Sequence, residues 1–379
     1  MNPEFRTKVV YVSNQLLPTQ VPLWEKVQHG VGELTILISV SREPNRHWSA
    51  NFGALNVLVQ KTITVASRWR HPLGFSDDNY VHFPLDTYVK LRSCRPDVVI
   101  SGQLGFRTLM AAAYRVFHPN TRLILFVQMS EHQQRGAGCV RRALRRILLR
   151  RADWAIVNSH SGQRVLAALG FPASRTTVSF TSCRLEQFFR LCPERGWNLT
   201  RRLVFVGRLV NGKGLMQLLH ALDQVVSNHA DLRVEMNFVG YGPLSEELPH
   251  LAVCKRLRVV VRGPVEESER HEAYQLGRVF VFPSLSDEWG IVVNEAMAAG
   301  LPVCGSVYSQ AVVELVEPDV TGWKFDPLDT TSTAGALEKM LLAPEERIAR
   351  MGQAARSRAA DLTPEKAGEG ILRSIASVL

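Results

Sequence analysis

The sequence predicts an α/β protein of two domains, each a parallel sheet flanked by helices. Three observations predict it. Short β-branched runs alternate with helical patterns along most of the chain, which implies parallel strands joined by crossovers. The chain has 379 residues, 46% of them apolar and 21% charged, and at ~150 residues per domain that is material for two cores. Between about residues 190 and 200 the periodicity stops, at Leu191-Cys192-Pro193-Glu194-Arg195-Gly196-Trp197-Asn198, and a strand pattern resumes at Leu203.

Taken in order, strands are expected at Val9–Val12, Leu34–Ile38, Val98–Ile100, Leu123–Val127 and Trp154–Val157. In the second half they are expected at Leu203–Val206, Val234–Val239, Leu257–Val261, Val279–Phe282 and Pro302–Cys304. Gly214–Ser227 and Gly290–Ala299 read as helices, and Pro364 near a helix start opens an amphipathic stretch to Leu379. The expected domains are 1–192 and 200–362, with 363–379 returning to the first. Open α/β sheets bind ligands outside the carboxyl ends of their strands, so the opening between two such sheets is the expected site.

Bulk properties narrow the classes. No apolar run approaches the ~18 residues of a membrane span, and Met1-Asn2-Pro3-Glu4-Phe5-Arg6-Thr7-Lys8 is too short and polar for a signal peptide. A cytoplasmic location is expected. The six cysteines form no metal-type pair and read as reduced thiols. The sequon Asn198-Leu199-Thr200 carries no weight in a cytoplasmic chain. A formal charge of +10 suits nucleic acid, anionic membranes or phosphorylated small molecules.

Two stretches carry the chemistry. Leu203–Gly214 runs from a strand through Gly207-Arg208 and Gly212-Lys213 into a helix. Backbone N–H groups and a helix dipole then lie beside two cations, which suits a diphosphate. Arg208 offers a planar fork and Lys213 a mobile point charge. The loop nearly spells a P-loop, but Gly214 stands where a hydroxyl for Mg²⁺ belongs. In the second stretch a buried strand ends at Pro283, and Ser284–Gly290 leads into a helix bearing Glu295. Gly290 lets a phosphate approach the backbone at the helix N-terminus. Asp287 and Glu295 bracket the helix start, where carboxylates can accept from ribose and sugar hydroxyls.

Together these stretches resemble the group 1 family of retaining glycosyltransferases, which have the GT-B fold: two Rossmann-like domains facing each other across a cleft. The family pattern of strand, Gly-Arg, Lys-Gly, then E-x7-E and E-A-M-A-x-G-x-P-V is met here by Gly207-Arg208, Lys213-Gly214 and Glu295-Ala296-Met297-Ala298-Ala299-Gly300-Leu301-Pro302-Val303. Val239-Gly240-Tyr241-Gly242-Pro243 and Gly322-Trp323 add to it. The resemblance covers 200–330 strongly and the first half more weakly. It implies that Arg208 and Lys213 neutralise the donor diphosphate, that Gly290 and Ile291 offer it N–H groups, that Glu295 binds the nucleotide ribose, and that Asp287 holds the transferred sugar. Asp287 is one methylene shorter than the usual Glu, and Glu288 beside it could substitute. Arg262 lies near where the family seats the base. The first half lacks the Gly-Gly loop of many members and has Ser13-Asn14-Gln15-Leu16-Leu17-Pro18 instead.

The implied reaction is a same-face transfer of a hexose-type sugar from a nucleotide-diphosphate donor to a glycan or lipid-linked acceptor, in envelope or exopolysaccharide synthesis. No D-x-D motif is present, and no metal or other cofactor is expected. His132, in the loop after Leu123–Val127, is a candidate for contact with sugar or acceptor, and Glu131 is a further acceptor-site candidate. Replacing Glu295 or Lys213 by Ala is expected to abolish transfer with the fold intact. A P-loop NTPase and a non-catalytic nucleotide-sugar binding protein are the alternatives.

Val140–Arg151 is a helix rich in arginine: Arg141, Arg142, Arg145, Arg146, Arg150 and Arg151. At 100° per residue, Val140, Leu144, Ile147 and Leu148 share one face and most arginines lie opposite. It reads either as a domain helix with a solvated basic face, or as a contact with anionic lipid headgroups that would place the protein on the inner face of the membrane. Nucleic acid is not expected, because no groove-reading module accompanies the charge.

Overall fold

A computed structural model describes residues 6–43, 51–70, 76–134, 138–192, 196–197, 199–266 and 268–379. Asn198 of the sequon and part of the expected linker lie outside the described residues. The chain divides into two compact units, one of Met1–Arg184 with Thr363–Leu379 and one of Leu185–Leu362.

Unit 1 is built on β1 (Lys8–Ser13), β2 (Glu33–Ile38), β3 (Asn56–Val59), a hairpin of β4 (Thr62–Arg70) and β5 (Ser76–Pro84), then β6 (Val98–Gly102), β7 (Arg122–Val127), β8 (Trp154–Val157) and β9 (Thr176–Val178). Seven of these form one parallel sheet in the order β3-β2-β1-β6-β7-β8-β9, and β4 pairs β5 antiparallel. The central strands are apolar on both faces because helices cover both sides. The helices are α1 (Val21–Gly30), α2 (Thr87–Cys94), α3 (Phe106–Phe117), α4 (Glu131–Gln134), α5 (Cys139–Leu149) and α6 (His160–Ala168). One face of the sheet packs Val10, Val12, Leu125 and Val127 against Ala111, Leu148 and Leu166. The other packs Val9, Ile36 and Ile100 against Trp24 and Val27, with Trp24 stacked 3.9 Å from Tyr11.

Unit 2 repeats the plan. A short helix α7 (Glu186–Phe189) precedes β10 (Arg201–Val206), α8 (Leu215–Asn228), β11 (Val234–Val239), β12 (Leu257–Val261), β13 (Val279–Phe282), α9 (Ile291–Ala298), β14 (Val303–Ser306), α10 (Gln310–Leu315), β15 (Gly322–Phe325), α11 (Thr330–Leu341) and α12 (Glu345–Ala359). Its six parallel strands run β12-β11-β10-β13-β14-β15. The last helix, α13 (Pro364–Ala376), belongs to unit 1. It lies along α1, where Gly30 and Gly368 allow a close crossing. A Cβ on Gly30 would strike Leu372 at 2.5 Å, and one on Gly368 would strike Lys26 at 2.6 Å.

Two readings need correction. Residues 185–192 group with unit 2 rather than with unit 1, because the Phe188 ring packs 5.4 Å from Tyr274 and Arg356 donates to the Leu191 carbonyl. On α5 the apolar face does not turn inward. Val140, Leu144 and Ile147 are 79%, 45% and 56% exposed, while Arg145, Leu148 and Leu149 are buried. Of the four apolar residues predicted to share a face, only Leu148 reaches the core. Arg145 is accommodated inside by donating to Gln134.

Candidate donor site

The strand order of unit 2 decides where a ligand can lie. From β10 the sheet grows one way through β11 and β12 and the other way through β13 to β15. The loops after β10 and β13 therefore leave in opposite directions from adjacent strands, and open a crevice at this switch point. The two motif stretches are these two loops.

They are joined at three points. Leu285 N donates to the Gly212 carbonyl at 3.0 Å. Lys213 Nζ pairs with Asp287 Oδ2 at 2.5 Å, both side chains about one fifth exposed. Gly214 sits at φ 67° so close to Pro283 that a Cβ there would lie 2.1 Å from its carbonyl oxygen. Only glycine fits that position. A hydroxyl-bearing residue, as a P-loop requires, would have to displace the β13 loop.

Gly214 and Gly290 are the N-caps of α8 and α9, and neither helix has a side-chain cap. Gly290 adopts φ 98°, and a Cβ would meet Phe282 at 2.8 Å and Ser309 Oγ at 3.0 Å. Two helix N-termini thus bring positive dipole ends to the same crevice. Arg208 follows Gly207 at the end of β10 and is half-buried. Lys213 also lies over the Phe282 ring, 5.3 Å from its centroid. The loop carrying Asp287 is tied down from behind: Asp287 N donates to Tyr308 O, and Gln310 N to Asp287 O. Glu288, beside it, is exposed at its surface. Desolvation of its carboxyl, and secondarily the Asp287 charge, push it up to about 7.

Glu295 departs from the expectation of an acid open to ligand. It is fully buried on α9. Tyr274 donates to its Oε2 at 2.6 Å, and Arg270 Nη2 lies 2.9 Å from its Oε1. Neither partner was foreseen. They come from the irregular 3-10 stretch Arg270–Leu276, which has no periodicity to mark it. Replacing Glu295 by Ala would therefore strip a partner from Arg270, so the fold-neutral outcome expected from sequence does not apply to it. Arg262 stands beyond β12, its Nε donating to Asn237 Oδ1 at 3.1 Å and its guanidinium 4.0 Å from Glu235.

The remaining candidates lie in unit 1. Glu131 and His132 open α4. Glu131 Oε2 accepts from Arg164 at 2.7 Å and from Ser161 at 3.1 Å, and His132 is half-buried. At the switch point of this sheet, between β1 and β6, a cavity of about 140 Å³ is lined by Tyr11, Ser13, Asn14, Gln103, Phe126 and Gln128, among others. Gln103 there takes φ 67°, a costly conformation for a residue with a side chain. Sequence reading marked Ser13-Asn14-Gln15 only as standing in place of a Gly-Gly loop, and no motif joins Gln103 and Gln128 to them. Among the described residues no helix is long and apolar enough to cross a membrane.

Known proteins resemble the chain in sequence and in fold. The family description Glycosyl transferases group 1 matches residues 200–342. Sulfoquinovosyl transferase SQD2 of Arabidopsis thaliana is 30% identical over 223 residues, 56% of this chain and 42% of that protein. The amylovoran biosynthesis glycosyltransferase AmsK of Erwinia amylovora is 29% identical over 188 residues, 47% of this chain and 45% of its own. The matches thus span less than half the length of these curated relatives. Among solved structures, Anabaena HepE in complex with UDP superposes with a TM-score of 0.71 at 16% identity, covering 98% of this chain and 100% of that one. With two Rossmann-like units in sequence and the motif loops joined at the switch point of the second, the chain has the GT-B fold and its residues 200–342 belong to the group 1 glycosyltransferase family.

Proposed function

We propose that the protein transfers a hexose-type sugar, with retention and without a metal, from a nucleoside diphosphate to a hydroxyl of a glycan or lipid-linked acceptor. The observation that carries this reading is the junction of the two loops, Leu285 to Gly212 and Lys213 to Asp287. The Asp287 carboxylate pairs with the Lys213 ammonium. A diphosphate, with more charge and more acceptor oxygens, displaces it. Arg208 and the N-termini of α8, at Gly214, and of α9, at Gly290 and Ile291, then share the phosphate charge. Asp287, released, accepts from hydroxyls of the sugar. Glu295 takes the ribose when its ion pair with Arg270 opens, since that guanidinium holds its buried Oε1.

In the transfer, the bond from the anomeric carbon to the diphosphate oxygen breaks and its electron pair leaves with the diphosphate. The acceptor oxygen bonds to the same face of that carbon, and its proton passes to a diphosphate oxygen. No protein nucleophile is needed. The amide-lined cavity of unit 1 supplies neutral donors and acceptors for an acceptor's hydroxyls. HepE, a fold neighbour, was solved with UDP, which makes a uridine donor the first to test. The name of AmsK favours an exopolysaccharide or envelope setting.

Calorimetry with UDP, GDP and ADP, followed by product analysis with the matching nucleotide sugars, tests the proposal. One nucleoside diphosphate is expected to bind, and Lys213→Ala to weaken it at least about 10-fold, as loss of one charged hydrogen bond implies. Binding unchanged in that variant would remove the site. Binding without turnover on any acceptor would leave a nucleotide-sugar binding protein.

A further inference from the structure

We propose that α5 is the surface by which this protein lies on an anionic phospholipid membrane. A helix of a soluble domain points its apolar residues inward, and α5 points three of them out. Val140, Leu144 and Ile147 are exposed and fall within about 60° of one another around the helix axis. Next to this row, at spacing i, i+4, i+8, runs a second row of Arg142, Arg146 and Arg150, which are also exposed. Apolar side chains and guanidinium groups thus form two adjacent stripes on one solvent-facing side.

The arginine stripe leads into a hollow. A cavity of about 490 Å³ lies beside α5, lined by Arg146, Arg150 and Arg175 together with Leu149 and residues 167–171. Its lining holds three arginines and no acid. Arg175 is held in place over the Phe171 ring, 5.0 Å from its centroid. Three guanidinium forks around one concave space suit a phosphate monoester or diester.

The two stripes together choose the occupant. At a lipid surface the apolar row enters the acyl boundary while the guanidinium groups stay level with the phosphates, and the hollow receives one headgroup. A second copy of the chain, meeting this face by two-fold symmetry, would set the arginines against themselves. A nucleic acid would satisfy the arginines and leave Val140, Leu144 and Ile147 without a partner. Docking of this kind does not depend on the transfer chemistry.

The test is co-sedimentation of the full chain with phosphatidylcholine vesicles, with and without phosphatidylglycerol. Binding is expected only to the anionic vesicles, weakening as salt is raised. Leu144→Ser/Ile147→Ser changes only exposed side chains, so its melting temperature and nucleotide binding should match the parent. It is expected to lose about 10-fold or more in vesicle binding, since both buried apolar contacts go. Arg146→Ala/Arg150→Ala should lose a similar factor together with most of the salt dependence. Equal binding to both vesicle types, or none, overturns the proposal. So does a serine variant that still binds anionic vesicles as the parent does. A parent that duplex DNA titrates off the vesicles, with the serine variant binding that DNA equally, would identify a nucleic-acid surface. A dimer in solution that the serine variant dissolves would identify a self-association face.

Discussion

Lys213 and Asp287 hold each other where a donor diphosphate and its sugar are proposed to lie, so each is both a ligand group and the other's placeholder. Asp287→Asn frees the ammonium. It should tighten binding of UDP alone while slowing transfer, a split that calorimetry and initial rates would separate. Glu288 adds a pH term. Its carboxyl is neutral below about 7 and charged above it, which sets a second negative charge beside Asp287. Affinity for UDP-glucose, whose diphosphate does not titrate in this range, should fall as pH rises through 7. Glu288→Gln should flatten the profile. Folding shares the sign: against an ordinary carboxyl at 4.5, the protonated Glu288 contributes fully below that pH, and the contribution is lost as pH rises from there through about 7. For Glu295→Ala, a loss of about 2–3 kcal/mol in denaturant melts is expected. That is below the ~3–5 kcal/mol of a fully buried pair, because Arg270 keeps contact with solvent.

At the scale of elements, the glycines that open α8 and α9 are the joints of the site. Gly214→Ala would put a Cβ into the Pro283 carbonyl at a positive φ. It should cost about 2 kcal/mol or more in stability, and weaken nucleotide binding by separating the two loops; a thermal melt and calorimetry would check both. Elements like these were readable because each side of the glycine is strongly patterned. Residues 203–206 of β10 and all of β13 (Val279–Phe282), the strands that lead to these two glycines, are buried and parallel, and their apolar runs leave no ambiguity. What escaped reading lacks that signal. β9 has three half-buried residues, β15 begins at Gly322 and includes Lys324, and the β4–β5 hairpin is exposed along Ile63, Val65 and Val81. Helix α5 misled for the opposite reason. Its periodicity is clear, but periodicity marks a stripe without saying whether the stripe faces protein or something else. Arg270 and Tyr274 could not be linked to Glu295, since side-chain partners about 20 positions away leave no trace in spacing.

Over the whole molecule, the two units are joined by two passages of the chain, at Arg184–Leu185 and Leu362–Thr363. Unit 2 is thus inserted within unit 1. Ending the chain after Leu362 would remove α13, exposing the core around Trp24 and Val27 that Ile371 and Ile375 cover. Limited proteolysis should then degrade unit 1 while unit 2 stays resistant and still binds nucleotide. Because Ser374 also bonds Thr177, the helix seals both α1 and the far strand of the sheet. The consequence is a matter of timing on the ribosome. The portion synthesised first must wait, incomplete, while the inserted portion emerges and can close on itself. Its own last piece arrives only when translation has passed residue 362, which gives the later-made half the first opportunity to become native.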